Sequence, residues 1–204
     1  ELPDAVLLMG DESVIPLANS SGKLGDFTYG LLSGKDQISD VAIGRLPIRN
    51  LNQAAIIVNK IKTYRKLKQS GFVNKRVMLL AHSQDYPGKY TRNMEQVRKS
   101  ENTLFLEFNT QYGGEKGRNA TVLEEAKKGY SIINYRGHGS SRSWSSWGSD
   151  GASFSFSQVK AFPDDEKSMP FIFNVACTNG AIQNSSSSLV EMQLFPDESS
   201  SSLR

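Results

Sequence analysis

Residues 131–140 read SIINYRGHGS. The run from Ser131 to Tyr135 has the look of a buried strand, and it ends in a histidine held between two glycines, Gly137-His138-Gly139. Glycine lets a backbone approach a neighbour or ligand closely, and histidine exchanges protons near neutral pH. A second stretch, PFIFNVACTNG at 170–180, repeats the pattern and stops at the single cysteine of the chain, Cys177. Two strands therefore end at residues suited to acid–base and nucleophilic chemistry.

Outward from these two runs, strands and helices alternate. Ala5 to Met9, closed by Gly10, is a short apolar run, and Val41 to Leu46 is a second, ended by Pro47. From Leu51 to Gln69, Ala54, Ile57, Ile61, Tyr64 and Leu67 recur at steps of three and four, which predicts an amphipathic helix. Its basic residues, Lys60, Lys62, Arg65, Lys66 and Lys68, read as a solvated helix face, since no aromatic interleaving accompanies them. Arg76 to Ala81 is a third strand, Tyr90 to Asn102 a polar helix, and Thr103 to Phe108 a fourth strand. Thr121 and Glu124 have the spacing of a capping box for a helix that runs to Lys128 and stops at Gly129. Ser131–Tyr135 and Phe171–Val175 complete the series. Such alternation predicts an α/β fold with a mostly parallel sheet and helices on both faces, because parallel neighbours need crossover connections. Ligands of open α/β sheets bind beyond the carboxyl ends of the strands, so His138 and Cys177 face one crevice if their strands are neighbours.

Composition removes several function classes. A net charge of +3 over 204 residues is too small to imply a nucleic-acid partner. No window approaches the roughly 18 apolar residues of a membrane-spanning helix. One cysteine excludes an internal disulfide framework, and two histidines, His82 and His138, argue against a histidine-rich metal site. Ser21-Gly22-Lys23-Leu24 lacks the glycine spacing and hydroxyl of a phosphate-binding loop. Residues 139–157 are rich in serine and glycine yet carry Trp144 and Trp147, which read equally as walls of a substrate cleft or as packing against the sheet. Residues 184–204, with two serine blocks and no periodicity, read as a largely disordered tail.

A cysteine nucleophile needs conditions that favour its thiolate and a partner that protonates the leaving amine, which histidine suits. The tetrahedral intermediate needs backbone N–H donors, for which the Gly139 and Cys177 amides are candidates. An apolar block ending in His-Gly, followed by a second ending in Ala-Cys, resembles the caspase-like cysteine peptidases. NYRGHGS, the tryptophan-bearing loop and PFIFNVACTNG are similar to the gingipain family in particular, as are AVLLMGDESVIP, FTYGLLSGKD, DVAIGRLP and SQDYPGKYT upstream. The resemblance covers residues 1–183 and implies a caspase-like three-layer sandwich with part of a cysteine endopeptidase catalytic domain. It implies Cys177 as nucleophile, His138 as general acid/base, and Gly139 and Cys177 as the oxyanion hole.

In that family a carboxylate shortly after an earlier strand end orients the histidine. The nearest acid in the matching segment, AHSQDYPG, is Asp85, with Gln84 at the position if the match slips by one. The competing reading of Asp85 is a turn residue before Tyr86-Pro87-Gly88. Arginine-specific members place an aspartate in the primary pocket from a helix that begins here near Tyr90-Thr91-Arg92. No acid stands there, so arginine specificity is not carried over. No cofactor is required by this chemistry, although family members often bind calcium and Asp26, Asp36 and Asp40 are candidate ligands; turn formation explains them as well. The resemblance further implies protein or peptide substrates and a secreted or cell-surface location. The abrupt beginning and the serine-rich end read as those of a fragment, which keeps a non-catalytic peptide-binding remnant as the alternative.

Overall fold

The computed structural model describes residues 3–20, 23–70, 74–163, 169–183 and 186–196. The chain divides into two compact units, Glu1–Ile57 and Val58–Arg204.

In the first unit, β1 (Ala5–Met9) is followed by the short antiparallel pair β2 (Asn19–Ser20) and β3 (Lys23–Leu24), and by a 3-10 turn at Asp26–Gly30. β1 then pairs in parallel with β4 (Ala42–Leu46), Ala5 opposite Ala42 and Met9 opposite Leu46. These two strands form a sheet of their own, whereas alternation in the sequence suggests one sheet throughout. Their burial differs accordingly: Leu7 and Met9 are exposed, so β1 is not a strand covered on both faces. The acids of this unit work as local ties. Asp26 accepts two hydrogen bonds from Arg45, whose Nε and Nη2 both lie at 2.6 Å. Asp40 accepts the Leu32 and Ser33 amides, and Asp36 accepts the Ile38 amide. Among the described residues no three His, Cys, Asp or Glu side chains converge as a metal site. Helix α1 (Leu51–Gln69) crosses the boundary between the units.

The second unit holds β5 (Arg76–Ala81), α2 (Lys89–Arg98), β6 (Glu107–Tyr112), α3 (Asn119–Ala126) and β7 (Ile132–Arg136). The hairpin β8 (Gly139–Ser140) and β9 (Ser143–Trp144) follows, then α4 (Phe156–Lys160), β10 (Phe171–Val175) and α5 (Leu189–Leu194). β10, β7, β5 and β6 form, in that order, a four-stranded sheet in which every pairing is parallel. Successive residues of a strand face opposite sides, and the two sides of this sheet build two cores. Met78, Leu80, Ile133 and Tyr135 pack with Val122, Trp144, Trp147, Phe154, Leu189 and Met192. Val77, Leu79 and Ala81 pack with Tyr90, Met94 and Tyr112. Helices thus cover both faces, giving the three layers of an α/β sandwich.

Two local expectations are corrected. The fourth strand of the sequence lies at 107–112, four residues beyond the predicted start, because Glu101–Thr103 form a 3-10 turn and Leu104 and Phe105 stay exposed. Within the segment read as a disordered tail, Leu189–Leu194 form α5. Ser188 caps this helix, its hydroxyl accepting the Glu191 amide at 3.3 Å, while the Glu191 carboxylate accepts the Ser188 amide at 2.8 Å. Leu189, Met192 and Phe195 are buried, an apolar spacing that the neighbouring serine blocks mask.

Candidate active site

The register of the central sheet decides which residues share its carboxyl edge. β7 and β10 are neighbours, with Arg136 opposite Val175. The ladder continues past them, the Gly137 amide donating to the Val175 carbonyl at 3.3 Å. Two residues beyond the last pair, His138 and Cys177 leave adjacent strands at the same edge, and both are exposed. The glycines beside His138 are explained by close approach. A Cβ at Gly137 would lie 2.6 Å from His82 Cβ and against the Tyr135 hydroxyl. A Cβ at Gly139 would lie 2.8 Å from Ala176 Cβ and 2.9 Å from the Cys177 carbonyl oxygen.

Amide directions at this edge follow from the hairpin. The Ser145 amide donates to the His138 carbonyl at 3.1 Å, so His138 and Ser145 are a hydrogen-bonded antiparallel pair. Gly139 and Trp144, one step along, are then a non-bonded pair, and the Gly139 N–H is directed away from β9. The Cys177 N–H makes no hydrogen bond among the described residues. Asn179, almost fully buried, holds the two segments together: its Nδ2 donates to the Ser140 and Ser143 carbonyls at 2.6 and 2.9 Å. Helix α5 adds two further ties, Leu189 N–H to the Ser141 carbonyl at 2.7 Å and Val190 N–H to the Asn179 carbonyl at 3.1 Å.

His138 sits in a cluster of rings, perpendicular to His82 at 4.9 Å between centroids and to Tyr90 at 5.5 Å. Its Nε2 lies 2.6 Å from Gln84 Oε1 and 3.4 Å from the Tyr90 hydroxyl. Asp85, the acid the sequence nominates, does not meet it. Asp85 occupies a turn with φ of 56°, where its carbonyl accepts the Gly88 amide, and its carboxylate makes no hydrogen bond or ion pair among the described residues. Gln84 stands in its place because β5 ends at Ala81 and the chain turns sharply over Ser83–Gly88. His82 is buried, which pushes its imidazole below the usual histidine range, and the nearby His138 adds to this. Its Nδ1 accepts the Gln84 amide at 2.9 Å, so His82 packs as a neutral ring behind His138.

Trp144 and Trp147 are corrected from cleft walls to core. Both are almost wholly buried, Trp144 is stacked on Tyr135 and Phe154, and their indole N–H groups donate to Asn174 and Asn119. Tyr90 and Asn179 are residues of this edge to which the sequence assigns no role, whereas Gln84 is the alternative that a one-residue slip offers in place of Asp85.

A thiol and an imidazole thus stand just past the carboxyl ends of neighbouring parallel strands in an α/β sandwich. The chain belongs to peptidase family C25, whose profile matches residues 1–198. It is 28% identical over 186 residues to gingipain R2 and gingipain R1 of Porphyromonas gingivalis. That match covers 86% of this chain but 24% of gingipain R2 and 18% of gingipain R1, so the chain spans a quarter or less of these relatives. The fold is similar to the crystal structure of the Arg-specific cysteine proteinase gingipain R, with a TM-score of 0.73 at 21% identity over 96% of this chain and 45% of that one. It is also similar to the complex of the pro- and mature domains of that proteinase, with a TM-score of 0.65 over 96% of this chain and 46% of the other.

Proposed function

We propose that the chain carries the nucleophile and the general acid/base of a cysteine endopeptidase, with Cys177 and His138 in those roles. The observation that supports this most is the register that brings both residues, exposed, to one edge of adjacent strands. In this reading Cys177 Sγ attacks the scissile carbonyl carbon, and its proton passes to His138. The Gly139 and Cys177 amides stabilise the oxyanion. His138 then protonates the departing amine as the C–N bond breaks, and water hydrolyses the thioester.

Substrates in this reading are extended peptide segments of proteins. Tyr90, an uncharged residue at the start of α2 with its hydroxyl toward His138, gives no reason to carry the arginine preference of gingipain R over to this chain. Export to the cell surface follows from family resemblance. Among the described residues no helix is long and apolar enough to cross a membrane.

The test is incubation with a mixed peptide library and mass-spectrometric reading of new termini, comparing the unmodified chain with Cys177→Ala. Cleavage that disappears in the variant supports the assignment, and cleavage equal in both overturns it. A second reading, peptide binding without turnover, is favoured by one observation: the partner of His138 is an amide and not a carboxylate. It predicts that Cys177→Ala binds library peptides unchanged while neither protein cuts them.

A further inference from the structure

Gln84 is exposed on the turn after β5, yet its side chain makes two short contacts through one atom. Oε1 lies 2.6 Å from His138 Nε2 and 2.9 Å from Lys89 Nζ. Lysine can only donate, so the atom facing Nζ is the amide oxygen, and the orientation of the amide is settled by its second partner. An oxygen at 2.6 Å from Nε2 requires that nitrogen to be the donor. Nε2 of His138 is therefore a donor, and in the neutral ring Nδ1, which has no hydrogen-bond partner among the described residues, is the basic nitrogen.

Among the described residues no carboxylate makes a hydrogen bond or ion pair with the ring. From the β5 end come His82 and Gln84 and from the start of α2 come Lys89 and Tyr90, while Cys177 follows the adjacent strand β10. Lys89 brings a positive charge next to the oxygen that receives the Nε2 proton.

We propose that Gln84, backed by Lys89, is the positioning residue for His138: it fixes the Nε2–H tautomer and leaves Nδ1 as the atom that takes the Cys177 proton. This rests on the peptidase reading above and adds its proton inventory. The Sγ proton moves to Nδ1 as the S–C bond forms, and the same proton goes to the amine nitrogen as the C–N bond breaks, so the ring begins and ends neutral.

Alkylation of Cys177 by iodoacetamide, followed from pH 5 to 9 by mass spectrometry, reads this without requiring turnover. Gln84→Glu is isosteric at an exposed position and supplies the missing charge. It is expected to raise the rate at pH 6.5 about tenfold and flatten the pH profile, because an ion pair then forms in the resting state. Lys89→Met should raise it about threefold, and Gln84→Ala, which frees the ring to change tautomer, should lower it by a similar factor. If Gln84→Glu and Gln84→Ala both follow the unmodified profile while His138→Ala is slowed, the role of Gln84 is overturned and the peptidase reading stands. If His138→Ala also follows that profile, the histidine does not act on the thiol and both fail.

Discussion

At the scale of the residue, close approach and proton placement account for most of the candidate site. Gly139 illustrates the first. Its backbone lies against the residues around Cys177, and Gly139→Ala places a methyl 2.8 Å from Ala176 Cβ. Because the neighbour is a strand end and not a flexible tip, the variant should lose about 1–3 kcal/mol of stability, measured by denaturant unfolding. Away from the site, Glu95 shows how a single carboxylate couples stability to pH. Hydrogen bonding from Arg98, with a further bond from Tyr112, holds its carboxyl down to about 2 against burial that pushes the other way. A lowered folded value means that the contribution is complete above the ordinary carboxylate range and is lost as pH falls toward 2. The melting temperature of Glu95→Gln should consequently fall less than that of the unmodified chain between pH 5 and 2. What the sequence disclosed at this scale was the pair of strand-end residues, because glycine-flanked histidine and strand-terminal cysteine are rare patterns with a mechanism. The residue that faces the histidine was disclosed only as an alternative. Gln84 and Asp85 are adjacent, and only the turn geometry decides which one faces the ring.

Elements were legible where burial imposes a clean period and illegible where it does not. β5 has five consecutive buried residues, Val77 to Ala81, and its apolar run predicted it to the residue. β6 is an edge strand of mixed polarity, EFNTQY, and the apolar residues before it pulled the expectation upstream. α5 is the larger omission, since a helix of six residues among serines shows too little periodicity to be read. Its energetic weight can be measured directly. Leu189 is fully buried in the core that contains Trp144 and Trp147, so Leu189→Ala should cost about 2–5 kcal/mol in denaturant unfolding. Phe173, on the outward face of edge strand β10, is 53% exposed, and Phe173→Ser should change stability by no more than about 1 kcal/mol. Similar losses in the two variants would mean that α5 does not pack as described. The tryptophans of the 139–157 loop fit the same picture. Composition left cleft wall and core equally open, and the stacking of Trp144 between Tyr135 and Phe154 decides for the core.

For the whole molecule, a parallel sheet explains why residues far apart in sequence act together. Each crossover returns the chain to the same end of the sheet, so every carboxyl terminus of a strand reaches one edge. His138 and Cys177 both leave the sheet at that edge because β7 and β10 are neighbours, and His82 and Gln84 reach it because β5 lies on the other side of β7. The chain belongs to peptidase family C25 and its fold is similar to that of gingipain R, while the division into two units at Ile57 was not visible in the alternation of strands and helices. The most direct measurement is labelling with a peptidyl acyloxymethyl ketone, which reacts with a cysteine that an acid/base partner activates, followed by mass mapping of the adduct. The account predicts modification at Cys177 and a loss of at least tenfold in labelling rate for His138→Ala. Equal labelling of the two proteins, or none at Cys177, would contradict it.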